Sequence, residues 1–183
     1  MKPNPALQTE NVAEYLLYVY QIEALVRSLD FNVELIDQQL IAPVFEDPKQ
    51  RQEQLQWYAQ IVAEMQQRQL LKEGHLEQVD EILVELIYLH NTLLTILNDD
   101  KYKGLCEHAN EALQAFKVKS NMPNRHDVEV LLHAMFMKLQ LKMKKQEISP
   151  ETEAAFDLFR IQLAYLSKQY KRMRAGELNF VQN

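Results

Sequence analysis

NVAEYLLYVYQIEALVR, residues 11–27, is apolar in almost every direction around a helix. At about 100° per residue, Val12, Tyr15, Leu16, Val19, Ile22 and Val26 share one face. Leu17, Tyr20 and Ala24 carry that face round the back, leaving Glu14, Gln21 and Ser28 as a thin polar stripe. A helix with so little polar surface is a central one, packed on several sides. Glu23 and Arg27 nevertheless sit inside the packed arc, four residues apart and so side by side. They are expected to neutralise each other with help from backbone or tyrosine hydroxyls, because stranding one charge would cost about 3–5 kcal/mol. The rival reading is a polar pocket of Glu14, Tyr18, Glu23 and Arg27 near His90, with Glu23 as a general base or ligand anchor. Tyr15, Tyr18 and Tyr20 are expected as core aromatics whose hydroxyls reach the rim.

Outward from this stretch, apolar residues keep recurring at three- and four-residue steps, with no alternating strand pattern. Only Gly74, Gly104 and Gly176 are available for turns, too few for a β-rich fold of this length. Capping signals divide the chain into helices. Thr9 or Asn11 opens the first, to Ser28; Asn32 the second, ended by Pro43; Asp47 and Pro48 the third, to about Lys72. The fourth covers roughly His75 to Leu97, and the NDD at 98–100 caps the fifth, to Lys119. Asn124 starts the sixth, to about Gln146, and Ser149 with Pro150 the seventh, which Gly176 ends. The expected fold is all-α: a single compact bundle of six or seven helices, mostly antiparallel neighbours, without a sheet. Residues 1–8 are expected as a flexible arm, 9–176 as one domain and 177–183 as a loose tail.

The 183 residues include one cysteine, Cys106, so neither an internal disulfide nor a multi-cysteine metal site is available. The start, MKPNPALQTEN, does not read as a signal peptide, and the run YLLYVY is far short of the ~20 residues of a membrane span. A cytoplasmic protein is expected, with no membrane attachment. Through Asn91 there are 6 Lys and Arg against 15 Asp and Glu, and from Thr92 onward 14 against 11. The basic clusters KLQLKMKK (138–145) and KQYKRMR (168–174) both end helices, where cations complement the helix dipole. Antiparallel packing would set them at opposite ends of the bundle, so no nucleic-acid partner is expected.

His90 lies mid-stripe among Leu83, Leu86, Ile87, Leu94 and Leu97, the place of a neutral, hydrogen-bonded core histidine. The Glu-x-x-His pairs of helical di-iron sites do not occur, nor does His-Glu-x-x-His. His126 with Glu129, and Glu129 with His133, are read as rim hydrogen bonding, and no metal or cofactor is expected. Cys106 shares the apolar stripe of Tyr102, Leu105, Ala109, Leu113 and Phe116, as a small buried hydrophobe does. Phosphate loops and the Gly-x-Ser-x-Gly motif are missing.

Surfaces remain. The sixth helix carries a second apolar stripe, Val130, Met137 and Leu141, and the seventh carries Leu158, Ile161 and Tyr165. A second stripe needs a second neighbour, inside the chain or in another subunit. Trp57 stands off the main stripe of the third helix, as an interface anchor would. At NVAEYLLYVYQIE, GHL (74–76), ELIYLH (85–90), EISPET (147–152) and GEL (176–178) the chain resembles a family of all-helical bacterial proteins catalogued as a domain of unknown function. That family usually carries Trp where Tyr20 stands and an acid where Ala24 stands. The resemblance implies a small helical bacterial protein and brings no catalytic residue with it. The function expected is a non-enzymatic interaction or scaffold protein with a protein partner or self-association, as a homodimer through the sixth and seventh helices. The alternative is a small-molecule binder or enzyme using the polar pocket on the first helix.

Overall fold

The computed structural model describes residues 1–178. Every regular element among them is helical, as expected: α1 (Pro5–Glu10), α2 (Val12–Ser28), α3 (Val33–Ile36), a π-helical turn (Asp37–Ile41), α4 (Pro48–Gln67), α5 (Glu77–Thr95), α6 (Asp100–Lys119), α7 (Asp127–Met143) and α8 (Pro150–Arg174). The sixth and seventh helices of the sequence are thus α7 and α8.

The expected caps set most of these boundaries. Asn32 Oδ1 accepts from the amides of Glu34 and Leu35, Asp47 from Lys49 and Gln50, Asp99 from Tyr102 and Ser149 from Thr152. α7 differs: it begins behind His126 rather than Asn124. His126 Nδ1 accepts from the Val128 amide at 3.2 Å, and Glu129 takes the His126 amide at 3.0 Å, a reciprocal box. The second expected helix divides into α3 and the π turn, where Asp37 is held by Arg51 of α4 at 2.9 and 2.5 Å. α4 ends at Gln67, ahead of the expected stop, and Gly74 takes φ +89°, a conformation that other residues rarely adopt. Part of the arm expected at 1–8 is helical from Pro5. The Met1 ammonium donates to Tyr58 Oη at 3.1 Å, and the Lys2 amide to Gln54 at 2.8 Å. Of the tail expected at 177–183, residues from 179 on lie outside the described residues.

Backbone contacts group the chain into two compact units, one of Met1–Pro5 with Tyr18–Asp80, the other of Ala6–Leu17 with the chain from Glu81 onward. In the first, α3 and the π turn pack on α4. Its buried residues include Tyr20, Ile22, Val26, Ile36, Tyr58, Ile61 and Met65. In the second, α8 packs against both α6 and α7. Tyr102 stacks on Tyr165 at 5.7 Å, while Phe116 meets Phe156 and Phe159 at 6.4 and 5.9 Å, so α6 and α8 run antiparallel. Among the described residues no helix is long and apolar enough to cross a membrane.

Candidate functional site

Glu23 is fully buried, yet both its oxygens are bonded. Oε1 accepts from the Leu76 amide at 2.8 Å. Oε2 lies 2.7 Å from His75 Nδ1, where a carboxylate, having only lone pairs to offer, requires the ring proton. Tyr20 stacks on that imidazole with ring centres 4.1 Å apart. Arg27 approaches Glu23 only to 3.9 Å; its stronger bonds go to the carbonyls of Leu70 at 3.0 Å and Gly74 at 2.6 Å. The acid and the guanidinium therefore grip the segment between α4 and α5 from one side of α2. Intrahelical pairing was expected to dominate and is the weakest contact of the set. His75, which carries the arrangement, was missed. The available signal was that two charges inside an apolar arc require polar partners from elsewhere in the chain.

Tyr18 bonds its hydroxyl to the Met1 carbonyl, and Tyr58 beside it is pushed up to about 12 by burial. Glu14 is exposed and accepts from Asn11 Nδ2 at 3.2 Å, so it belongs to neither cluster of buried polar groups.

His90 heads a second cluster, within the second unit. Its Nδ1 lies 2.8 Å from Tyr102 Oη, and the His126 ring stands edge-on at 5.1 Å. Burial, with His126 beside it, lowers His90 to about 4, so the ring is neutral at pH 7. Burial raises the Tyr102 phenol as well. Gln162 Nε2 donates to Cys106 Sγ at 3.2 Å, and the Cys106 thiol is pushed up to about 11, chiefly by burial. That is an inert thiol. No group of three or more His, Cys, Asp or Glu is gathered around a common point among the described residues.

The basic clusters are paired in part. Lys138 meets Glu153 at 2.8 Å, Arg174 meets Glu85 at 3.1 Å, and Lys171 pairs with Glu10. Of the interface candidates, Val130 has no exposed surface; it serves the interior, and its assignment to an interface is corrected. Met137, Leu141 and Leu158 are half-buried, and Ile161 is 43% exposed. Tyr165 donates to Asp99 at 2.7 Å and closes the α6–α8 seam. Trp57, half-buried on α4, stands edge-on to Tyr58 at 4.9 Å.

Two hollows open in the second unit. One, of about 390 Å³, is a groove between α6 and α8, floored by Ala112, Ala115, Phe116, Ala155, Phe156 and Phe159. His108, Glu111, Lys119 and Glu151 stand on its rim, and Leu158 borders it. The other, of about 320 Å³, lies between α2 and α8 over Leu17, Met135 and Leu163, with Glu10 and Glu14 facing Arg160 and Lys168. Ser167 seals its back wall, taking the Ala13 amide at 3.0 Å. Both are in the size range of ligand or side-chain pockets.

Comparison with known proteins adds little beyond kinship. No curated protein and no solved structure matches the chain. A family model does match, over residues 1–177: the chain belongs to the family described as Domain of unknown function (DUF4924).

Proposed function

We propose that this chain is a non-enzymatic helical interaction protein of the bacterial cytoplasm that docks a protein partner in the groove between α6 and α8. One observation carries the reading. The α6–α8 seam, closed by Tyr102 and Tyr165 at one end, is open at the other over an alanine and phenylalanine floor. Small floor residues admit a helix or a bulky side chain closely, and charged residues on the rim give such a partner its register. The buried acid and histidine on which an enzyme would be built are occupied by protein partners instead. A lone cysteine suits a reducing compartment, and the family resemblance suits a bacterial source. The test is a photo-crosslinking phenylalanine analogue at Ala155, compared with the same analogue at the exposed Gln50 of α4. A discrete adduct in cells from Ala155 alone supports the reading. No adduct, or the same smear from both positions, refutes it.

A second reading is favoured by the α2–α8 hollow. Acids on one wall, cations on the other and an apolar floor suit a small zwitterion with an aliphatic body. It keeps Glu14 from the pocket expected on the first helix and leaves out Tyr18, Glu23, Arg27 and His90.

A further inference from the structure

The outer face of α6 has a symmetry of its own. At helical spacing Glu111, Ala112, Ala115, Val118 and Lys119 share that face, centred on Ala115. Glu111 and Lys119 stand four residues either side of Ala115, and Ala112 and Val118 stand three either side. Among the described residues the side chain of neither Glu111 nor Lys119 has an ion pair or hydrogen bond partner. Two turns apart on one helix, about 12 Å, they do not meet each other.

We infer that a second copy of this chain is the partner, with the two α6 helices crossing antiparallel on a two-fold axis at Ala115. The inference rests on the interaction reading above and names its occupant. In a two-fold contact residue i meets j while j meets i. An axis at Ala115 therefore sets Glu111 of each copy against Lys119 of the other, forming the same pair twice. Val118, 76% exposed and apolar, comes opposite Ala112 of the other copy, a small residue that leaves it room. Alanine at the axis allows the close approach, about 8–10 Å, of packed helices. A parallel alignment would set Glu111 on Glu111 and Lys119 on Lys119, so the charges select the antiparallel one. The alanine floor of the α6–α8 groove flanks this contact, continuous with Ala112 and Ala115.

Sedimentation equilibrium on the full chain tests the register. The unaltered chain should dimerise in the micromolar range. Ala115→Arg, which brings two guanidiniums together at the axis, should give a monomer. Because Ala115 is exposed, the helical circular dichroism should stay unchanged. Glu111→Lys and Lys119→Glu should each weaken association about tenfold, since symmetry doubles the change, and the double charge swap should restore it. If Ala115→Arg loses its fold, the charge-swap series decides. A chain monomeric at hundreds of micromolar, a dimer indifferent to Ala115→Arg, or a double swap as weak as its single parents overturns the inference. An Ala155 adduct with a different protein, together with a monomeric chain, would end the second-copy assignment and leave the interaction reading standing. A monomer that gives no adduct ends both.

Discussion

Replacing Glu23 with alanine should loosen the segment between α4 and α5 more than any other change in the first unit. The carboxylate accepts two short bonds, from the Leu76 amide at 2.8 Å and from His75 Nδ1 at 2.7 Å. Hydrogen bonds to a buried charge contribute about 1.5–3 kcal/mol each. Arg27 adds little, because at 3.9 Å from Glu23 it keeps its carbonyl partners on Leu70 and Gly74 when the acid is removed. The expected loss is therefore about 3–5 kcal/mol, the range for breaking a buried charged contact. With a urea slope of about 2 kcal/mol/M, the midpoint should fall by roughly 2 M. Glu23→Gln should lose less, about 1–2 kcal/mol, because its amide oxygen can still accept from Leu76 while its NH2 faces His75. Hydrogen exchange at the Leu76 amide supplies the local readout, and it should accelerate in step with the midpoint. A Glu23→Ala protein within about 1 kcal/mol of the parent, with Leu76 protection intact, would falsify the clamp.

His90, neutral in the fold and lowered to about 4 from 6.5, should make stability fall as pH drops from about 6.5 to 4, since only the unfolded chain takes up the proton in that window. The full contribution is about 3 kcal/mol, absent from the acid limb of urea midpoints measured on His90→Gln. Cys106, raised to about 11 from 9.0, should hold about 100-fold less thiolate at pH 8 than an ordinary thiol. Iodoacetamide should therefore label it slowly until urea unfolds the chain, and rapid native labelling would contradict its place beside Gln162.

Much of this fold was legible because helix boundaries are local chemistry. Asn32, Asp47, Asp99 and Ser149 accept amides one or two residues beyond their own neighbours, and nothing distant can change that. Periodicity likewise gave the buried face of α2, where Val12, Leu16 and Val26 are at most 1% exposed. The misses at the candidate site and interface are tertiary, while those at the N-terminal turn and the α7 cap are local. Val130 lay on a second stripe, but a stripe states only that some neighbour covers it, and that neighbour proved to be within the chain. The helical turn at Pro5–Glu10 was obscured by Pro3 and Pro5, which read as arm, although proline at a first helical position is favourable. Glu23 and Arg27 were placed correctly on one arc, yet spacing says nothing of a histidine 52 residues away.

The charge asymmetry between the halves shows the same separation of local from distant information. Counting residues suggested a basic second half, and part of that excess is paired with acids close by. Lys117 reaches Asp127 at 2.5 Å, Lys138 reaches Glu153 at 2.8 Å, and Arg174 reaches across to Glu85 of α5 at 3.1 Å. Each cation so placed has its potential cancelled within a few ångströms, well inside the ~8 Å over which salt screens anyway. An electrostatic partner is then chosen by the charges that remain unpaired, and position decides their weight more than number. An unpaired lysine on a wholly polar face is simply solvated. Lys119 and Glu111 instead flank an apolar floor, where docking removes water from around them and strengthens whatever they meet. Left unmatched there they would oppose docking, so a helix laid along α6 would best present an acid and a base about 12 Å apart, in the reverse order along its length. α6 itself presents that pattern.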